Sequence, residues 1–498
     1  MMGVVIRYCL LSLLLAASLA APAPARPAAP AQPAASAAHL APRPLPPASV
    51  TRHMLDLPGR TLHFTATAGS IRLSDANGAP EADIAFIAYT LDGAKPSERP
   101  VSFVLNGGPG DASAWLQLGA LGPWRLPLAG AAPSTPPLAI PNADTWLDFT
   151  DLVFIDPVGT GFSRFLTASP AVRKRMWSVS GDIDELAETI RRWTVAHHRL
   201  ASPKYIVGES YGGFRAPRLA RALASGQGIG ISGLVMISPA LTIGRIASVP
   251  LYYAESLPSM AAAVRARNGP VTRAGLADVE QYATHEYLAD LLAGVGDPKL
   301  LAQMSARVAA LTGLDPALVR RLDGRIDAET FLREIDRPDA RVASIYDATI
   351  TSPNPYPAAI RAPYADPVLQ GFVPPLTEAI LAIYADRLKW LPKGHYQLNN
   401  LTVERHWDWG GALGQVQSVG ALRTALALDP GMHVLIGDGL YDLVVPYLRN
   451  SIILAQIPPS AGGDRIRMIV LPGGHMFYTE DASRASFRAA AERMYEGR

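Results

Sequence analysis

The run Gly208-Glu209-Ser210-Tyr211-Gly212-Gly213 constrains this chain more than any other feature, because of what stands on either side of it. Residues 205–207 are apolar and strand-like, and residues 214–224 have helical periodicity. A strand that turns directly into a helix leaves little room at the corner, so small residues must flank the serine. The serine hydroxyl is pushed out at the carboxyl end of the strand, beside the amides and the positive dipole end of the helix. A bare Gly-x-Ser-x-Gly match is common. The strand before and the helix after make this one a nucleophile elbow, with Ser210 as the expected nucleophile.

The rest of the chain suits such a corner. Runs that are almost entirely apolar recur at 101–105, 152–155, 234–237, 434–436 and 467–471, as expected of strands buried on both faces. Alternating patterns at 61–66 and 82–89 read as antiparallel strands. Helical periodicity at 182–194, 419–428 and 482–495 lies between or after these runs. The pattern predicts an α/β fold, a doubly wound and mostly parallel sheet, with 51–248 and 401–498 as its two parts. Residues 249–400 read differently, with helices expected at 299–311, 316–322 and 328–335 and no strand-like runs, so an inserted helical lid is expected there. Apolar residues make up 49% of the chain, enough for a sizeable core. The net charge of +2 gives no argument for nucleic acid as a partner.

Arg7 and the apolar run at 8–20, ending in Ser18-Leu19-Ala20, have the form of a secretory signal over residues 1–20. The run is short of the ~20 apolar residues that span a bilayer comfortably. A secreted or periplasmic protein without a stable membrane anchor is expected. Residues 21–50, mostly Ala and Pro, read as a linker. The only cysteine, Cys9, lies in the signal, so the processed chain would have no disulfide, thiol nucleophile or cysteine-bound metal. His285-Glu286 lacks the second histidine of a zinc motif, and no metal or cofactor is expected.

A serine hydroxyl needs a base, and the base needs an orienting acid, in the chain order Ser, Asp or Glu, His for this topology. After Asn400 the histidines are His406, His433 and His475. His475 follows a strand-like run through Pro472-Gly473-Gly474 and is the expected base. His433 opens a strand and reads as structural; His406 could line a pocket or pack; the adjacent His197 and His198 read as surface. The strand at 434–436 leads into Gly437-Asp438-Gly439-Leu440-Tyr441-Asp442, where Asp442 is preferred as the acid and Asp438 as its neighbour or a turn residue. An oxyanion hole needs two amides. Tyr211 supplies one, and the loop Asn106-Gly107-Gly108-Pro109-Gly110, after the strand at 101–105, supplies the other at Gly108.

Together these motifs resemble the serine carboxypeptidase family of α/β hydrolases. Asn106–Gly110, Asp156-Pro157-Val158-Gly159-Thr160-Gly161-Phe162-Ser163, Gly208–Gly213, Asp442 with Val444-Val445-Pro446, and Gly474-His475-Met476 stand in the family's order. The resemblance implies release of an amino acid from the free carboxyl end of a peptide. It also implies that Asn106, Gly107 and a protonated Glu209 hold the terminal carboxylate, which favours mildly acidic pH. The chain departs from the family pattern at three places. Gly110-Asp111-Ala112-Ser113 lacks the family's cysteine, Gly119-Ala120-Leu121 lacks its glutamate, and Asp156 abuts Pro157 directly. The alternative is a hydrolase of esters or other peptide ends: an esterase, an acyltransferase or a proline aminopeptidase-like enzyme. Asn106 and Glu209 argue against the last. A catalytically silent binding module is the reading from another class. Side-chain preference is expected to come from the lid and from near Trp407 and Trp409, which could equally be core.

Overall fold

The computed structural model describes residues 43–244, 248–359, 365–412 and 415–497. The expected signal over 1–20 and most of the expected linker lie outside the described residues. The linker reading nevertheless runs too far. Leu45 is buried and its amide donates to Asp83 Oδ2 at 2.8 Å, and a strand begins at Ser49. Its first six residues alternate half-buried with exposed, and only Leu55 and Leu57 are buried, so it carries little apolar period for sequence reasoning to detect.

Among the described residues one sheet is built from ten strands. These are β1 (Ser49–Leu57), β2 (Arg60–Ser74), β3 (Pro80–Leu91), β4 (Val101–Leu105), β5 (Asp151–Ile155), β6 (Arg164–Phe165), β7 (Lys204–Glu209), β8 (Gly233–Ile237), β9 (His433–Gly439) and β10 (Ile466–Leu471). Their order across the sheet is β1-β2-β3-β5-β4-β7-β8-β9-β10, with β6 paired to β3. Pairing is antiparallel from β1 to β5 and parallel from β5 to β10. The parallel strands are the continuous apolar runs, because both of their faces are covered. Val104, Phe154, Val207, Val235 and Leu435 join one apolar cluster, while Phe103, Val153, Ile206, Leu234 and Ile436 join the cluster on the opposite face.

Helices close both faces. The helix Val179–Ala196 buries Ile183, Leu186, Ala187, Ile190 and Trp193 along one stripe and is capped by Ser178, whose hydroxyl accepts from the Gly181 amide at 3.1 Å. His197, expected on the surface, is half-buried instead and stacks on Trp193 with ring centres 4.3 Å apart. The helix Asp481–Tyr495 buries Phe487, Ala490 and Ala491 on the other face.

β8 and β9 are paired neighbours, Ile237 opposite Gly437, although the whole inserted segment lies between them in sequence. That segment is not one lid. Helices from Leu251–Ala254 to Ala328–Glu334 build a separate apolar cluster, with Met260, Leu276, Val308 and Phe331 against Leu440, Leu443 and Tyr447 of the body. Further on, a short hairpin pairs Arg341–Ala343 with Thr351–Pro353, which the sequence reading did not anticipate. The helix Pro367–Ala382 then buries Phe372, Leu376 and Ile380 in the main core. The run Pro367–Arg387 is long and apolar enough to cross a membrane, and half of its apolar window is buried inside the protein.

Candidate active site

Ser210 sits between β7 and the helix Tyr211–Ala222, with φ +56° and ψ −117°. A residue with a side chain occupies that region only when its surroundings hold it there. Here the Ser210 amide donates to Ile237 O at 2.9 Å, and the Ala240 amide donates to Ser210 O at 3.0 Å. A Cβ at position 212 would lie 2.3 Å from Leu105 O, so the elbow can press against the end of β4 only with glycine there.

His475 Nδ1 lies 2.7 Å from Asp442 Oδ2, and both residues are buried. Asp442 Oδ1 accepts from the Val444 and Val445 amides at 2.8 and 2.9 Å. With Nδ1 held by the carboxylate, Nε2 is the nitrogen able to accept a proton from a serine. Burial alone would lower the His475 pKa. The charge and hydrogen bond of Asp442, with the charges of Glu209 and Asp438, outweigh it and hold the pKa above the ordinary value. The Ser238 hydroxyl, next to Ile237, donates to His475 O at 2.8 Å, which ties the histidine loop to the strand end that holds Ser210. From the inserted segment, Tyr346 O accepts the His475 amide at 2.5 Å, and the Tyr346 ring stands edge-on to the imidazole at 5.7 Å. Asp438 turns elsewhere. Its oxygens lie 3.2 and 3.1 Å from Asn450 Nδ2, and burial pushes its pKa up to about 8.

The loop after β4 lies directly on the elbow. A Cβ at Gly107 would sit 2.7 Å from the Tyr211 amide nitrogen and 2.9 Å from Ser210 Cβ. Gly108 follows with φ +98°, open to glycine. Asn106 anchors the loop from below: its Oδ1 accepts the Leu116 amide at 3.0 Å, and its carbonyl accepts Arg215 Nη1 at 2.6 Å. Arg215 is itself paired with Asp182 at 2.7 and 2.9 Å, and both are fully desolvated. At the outer end, where the family's cysteine is missing, Asn399 Nδ2 donates to Asp111 Oδ1 at 2.6 Å. The Ala112 and Asn400 amides bond to Leu398 O and Gly110 O at 2.9 and 2.8 Å. Asp156 braces the far side by accepting the Ser113 amide at 2.8 Å.

Glu209 is buried beside this loop. Asn106 Nδ2 donates to its Oε2 at 2.7 Å, and the Tyr478 hydroxyl donates to the same oxygen at 2.9 Å. Burial pushes the Glu209 pKa up to about 7, against the lowering effects of the His475 charge and of these hydrogen bonds. Trp407 and Trp409 both meet the Tyr211 ring edge-on, with ring centres 5.6 Å away. His406 and His433 are exposed.

The structure therefore places Ser210, Asn106, Gly107, Gly108, Glu209, Tyr211, Asp442 and His475 at or just after the carboxyl ends of β4, β7, β9 and β10, and leaves Asp438 inside β9, bonded to Asn450. Sequence reasoning missed Arg215, Ser238, Tyr346, Asn399 and Tyr478. Their partners are distant in the chain, and none lies in a motif that names it. Tyr478 alone had a local cue, on the short turn Phe477–Thr479 just after the histidine loop.

The mostly parallel sheet and the serine elbow give the chain an α/β-hydrolase fold. Residues 58–241 match the family model described as serine carboxypeptidase. Serine carboxypeptidase-like 13 from Arabidopsis thaliana is 31% identical over 163 residues, which are 32% of this chain and 37% of that protein. Serine carboxypeptidase-like 10 from the same plant is 28% identical over 211 residues, 42% of this chain and 44% of that protein. The chain thus spans less than half the length of these curated relatives. Among solved structures, Kex1Δp, a prohormone-processing carboxypeptidase from Saccharomyces cerevisiae, has the same fold. Its TM-score is 0.57 at 15% identity, covering 87% of this chain and 91% of that chain. Over residues 58–241 the chain is similar to the serine carboxypeptidases. The family match holds the Asn106 loop and the elbow, while Asp442 and His475 lie beyond it.

Proposed function

We propose that this protein is an exported serine carboxypeptidase that releases the carboxyl-terminal amino acid of peptides through an acyl-enzyme. Ser210 Oγ attacks the scissile carbonyl while His475 Nε2 takes its proton and Asp442 holds the resulting imidazolium. The oxyanion is met by the Gly108 and Tyr211 amides. His475 returns the proton to the departing amine. Water, activated by the same histidine, then frees the peptide and regenerates Ser210. Asn106, the Gly107 amide and protonated Glu209 hold the terminal carboxylate.

The observation that carries this reading is the buried Glu209 carboxyl, bonded to Asn106 at 2.7 Å and with its pKa raised to about 7. A carboxyl group next to the nucleophile that keeps its proton near neutrality can pair with a second carboxylate, which an ionised one would repel. Activity on free-acid peptides is then highest below neutral pH and falls as pH rises through the Glu209 pKa. The low-pH limb reports protonation of His475, and because the two groups interact the profile belongs to the pair.

The test is amino-acid release from amino-blocked dipeptides, with free and amidated carboxyl ends, across pH. Acid-favoured release that needs the free carboxylate and drops at least ~10³-fold in Ser210→Ala supports the reading. Equal turnover of amides, or turnover of esters only, moves the function to the ester and other-peptide-end alternative.

A further inference from the structure

Glu209 is held in an asymmetric way. Two donors converge on Oε2, and among the described residues no hydrogen bond reaches Oε1. The Asn106 amide cannot be turned round, because its Oδ1 already accepts the Leu116 amide at 3.0 Å, so Nδ2 is fixed as a donor. Tyr478 keeps its phenol proton, since burial raises its pKa well above the usual value. A neutral carboxyl group accepts through its carbonyl oxygen and donates through its hydroxyl. An oxygen facing two donors is therefore the carbonyl oxygen. Tyr478 reaches this position because nothing stands in its way at residue 119. Its ring lies on Gly119, where a Cβ would sit 2.6 Å from Tyr478 Cε2. The segment Gly119-Ala120-Leu121 is the one that carries no acid.

We propose that Tyr478 is a positioning residue that, together with Asn106, occupies Glu209 Oε2 and confines the carboxylic proton to Oε1, the oxygen left to donate to the terminal carboxylate of a peptide. This rests on the carboxypeptidase reading above. The ionisable groups that face Glu209 are Tyr478, His475 and Asp111. The His475 charge favours ionised Glu209, and the Asp111 charge opposes it. Of these, Tyr478 acts through a hydrogen bond that favours the ionised form. Its removal raises the Glu209 pKa and, because the protonated form is the active one, carries the high-pH limb upward.

The experiment compares the parent, Tyr478→Phe, Glu209→Gln and the double variant on a blocked free-acid dipeptide and on the matching blocked amino-acid ester. Tyr478→Phe is expected to raise KM for the free-acid peptide relative to the ester by ~5-fold, the loss of one hydrogen bond. Its high-pH limb should move upward, and that movement should vanish in the Glu209→Gln background, where no carboxyl remains to ionise. Gly119→Ala, which displaces the ring and keeps the phenol, should change KM in the same direction if Tyr478→Phe does not fold. An unmoved limb with an unchanged KM ratio, or a limb that moves as far without Glu209, overturns the assignment to Tyr478 and leaves the carboxypeptidase reading standing. A parent that cleaves the ester but never the free-acid peptide overturns both.

Discussion

The loops at the carboxyl ends of β4, β7, β9 and β10 close around backbone, whereas the inserted helices from Leu251–Ala254 to Ala328–Glu334 close around side chains. In the first region a Cβ at Gly107 would meet the Tyr211 amide nitrogen at 2.7 Å, and one at Gly439 would meet Gly474 O at 1.9 Å. In the second, Gly294 and Gly296 have nothing within 4 Å, and the contacts that matter are those of Leu276, Val308 and Phe331. Backbone against backbone tolerates one residue type. An apolar cluster tolerates many, provided that volume is kept. The two regions meet where the inserted segment lends backbone acceptors to the histidine and acid loops, from Tyr346 O to His475 and from Ile345 O to Leu443.

Substitutions can sharpen this contrast. Asp442→Asn should cost kcat ~10⁴-fold, by analogy with triads in which the imidazole loses its orienting acid, with little change in melting temperature. The same change at Asp438 should cost far less, and equal losses would mean that the acid has been misassigned. Arg215→Met strands the desolvated Asp182 under the Asn106 loop and should lower unfolding free energy by ~3–5 kcal/mol in denaturant titration. A loss near zero would mean that the loop is held by its other bonds. Gly107→Ala should reduce kcat/KM at least ~10²-fold by driving the loop off the elbow, while Gly296→Ala should stay within ~0.5 kcal/mol of the parent in stability. Asp366→Ala tests the junction. It removes the cap of the helix Pro367–Ala382 and the carboxylate that holds Ser344 and Ile345, at ~1 kcal/mol or somewhat more, with a modest fall in kcat through Tyr346. Unaltered kcat there would separate the inserted segment from the alignment of His475.

What could be read from the sequence follows the same division. The strand at 101–105 and the helix Val419–Leu428 coincide with expectation, and the site loops announced themselves because close backbone approach demands glycine within a few residues of the reacting group. The inserted segment was legible as helices, but not in how it divides, since Phe331 and Phe372 look alike as apolar positions yet enter different clusters. Arg215 and Asn399 were hidden because a hydrogen bond between distant residues leaves no periodic trace. β1 was hidden because an edge strand with few buried apolar residues reads like the stretch before it.

The placement of β9 beside β8 has a consequence in time as well as in space. Synthesis delivers Ser210 and its elbow long before Asp442 and His475, yet Ser238, at the end of β8, must wait for His475 to accept its hydroxyl proton. Until then Ser210 lacks the base proposed for it and remains an ordinary alcohol. On the proposed mechanism the nascent chain cannot activate Ser210 until the strand β10 and the histidine loop after it have emerged and docked.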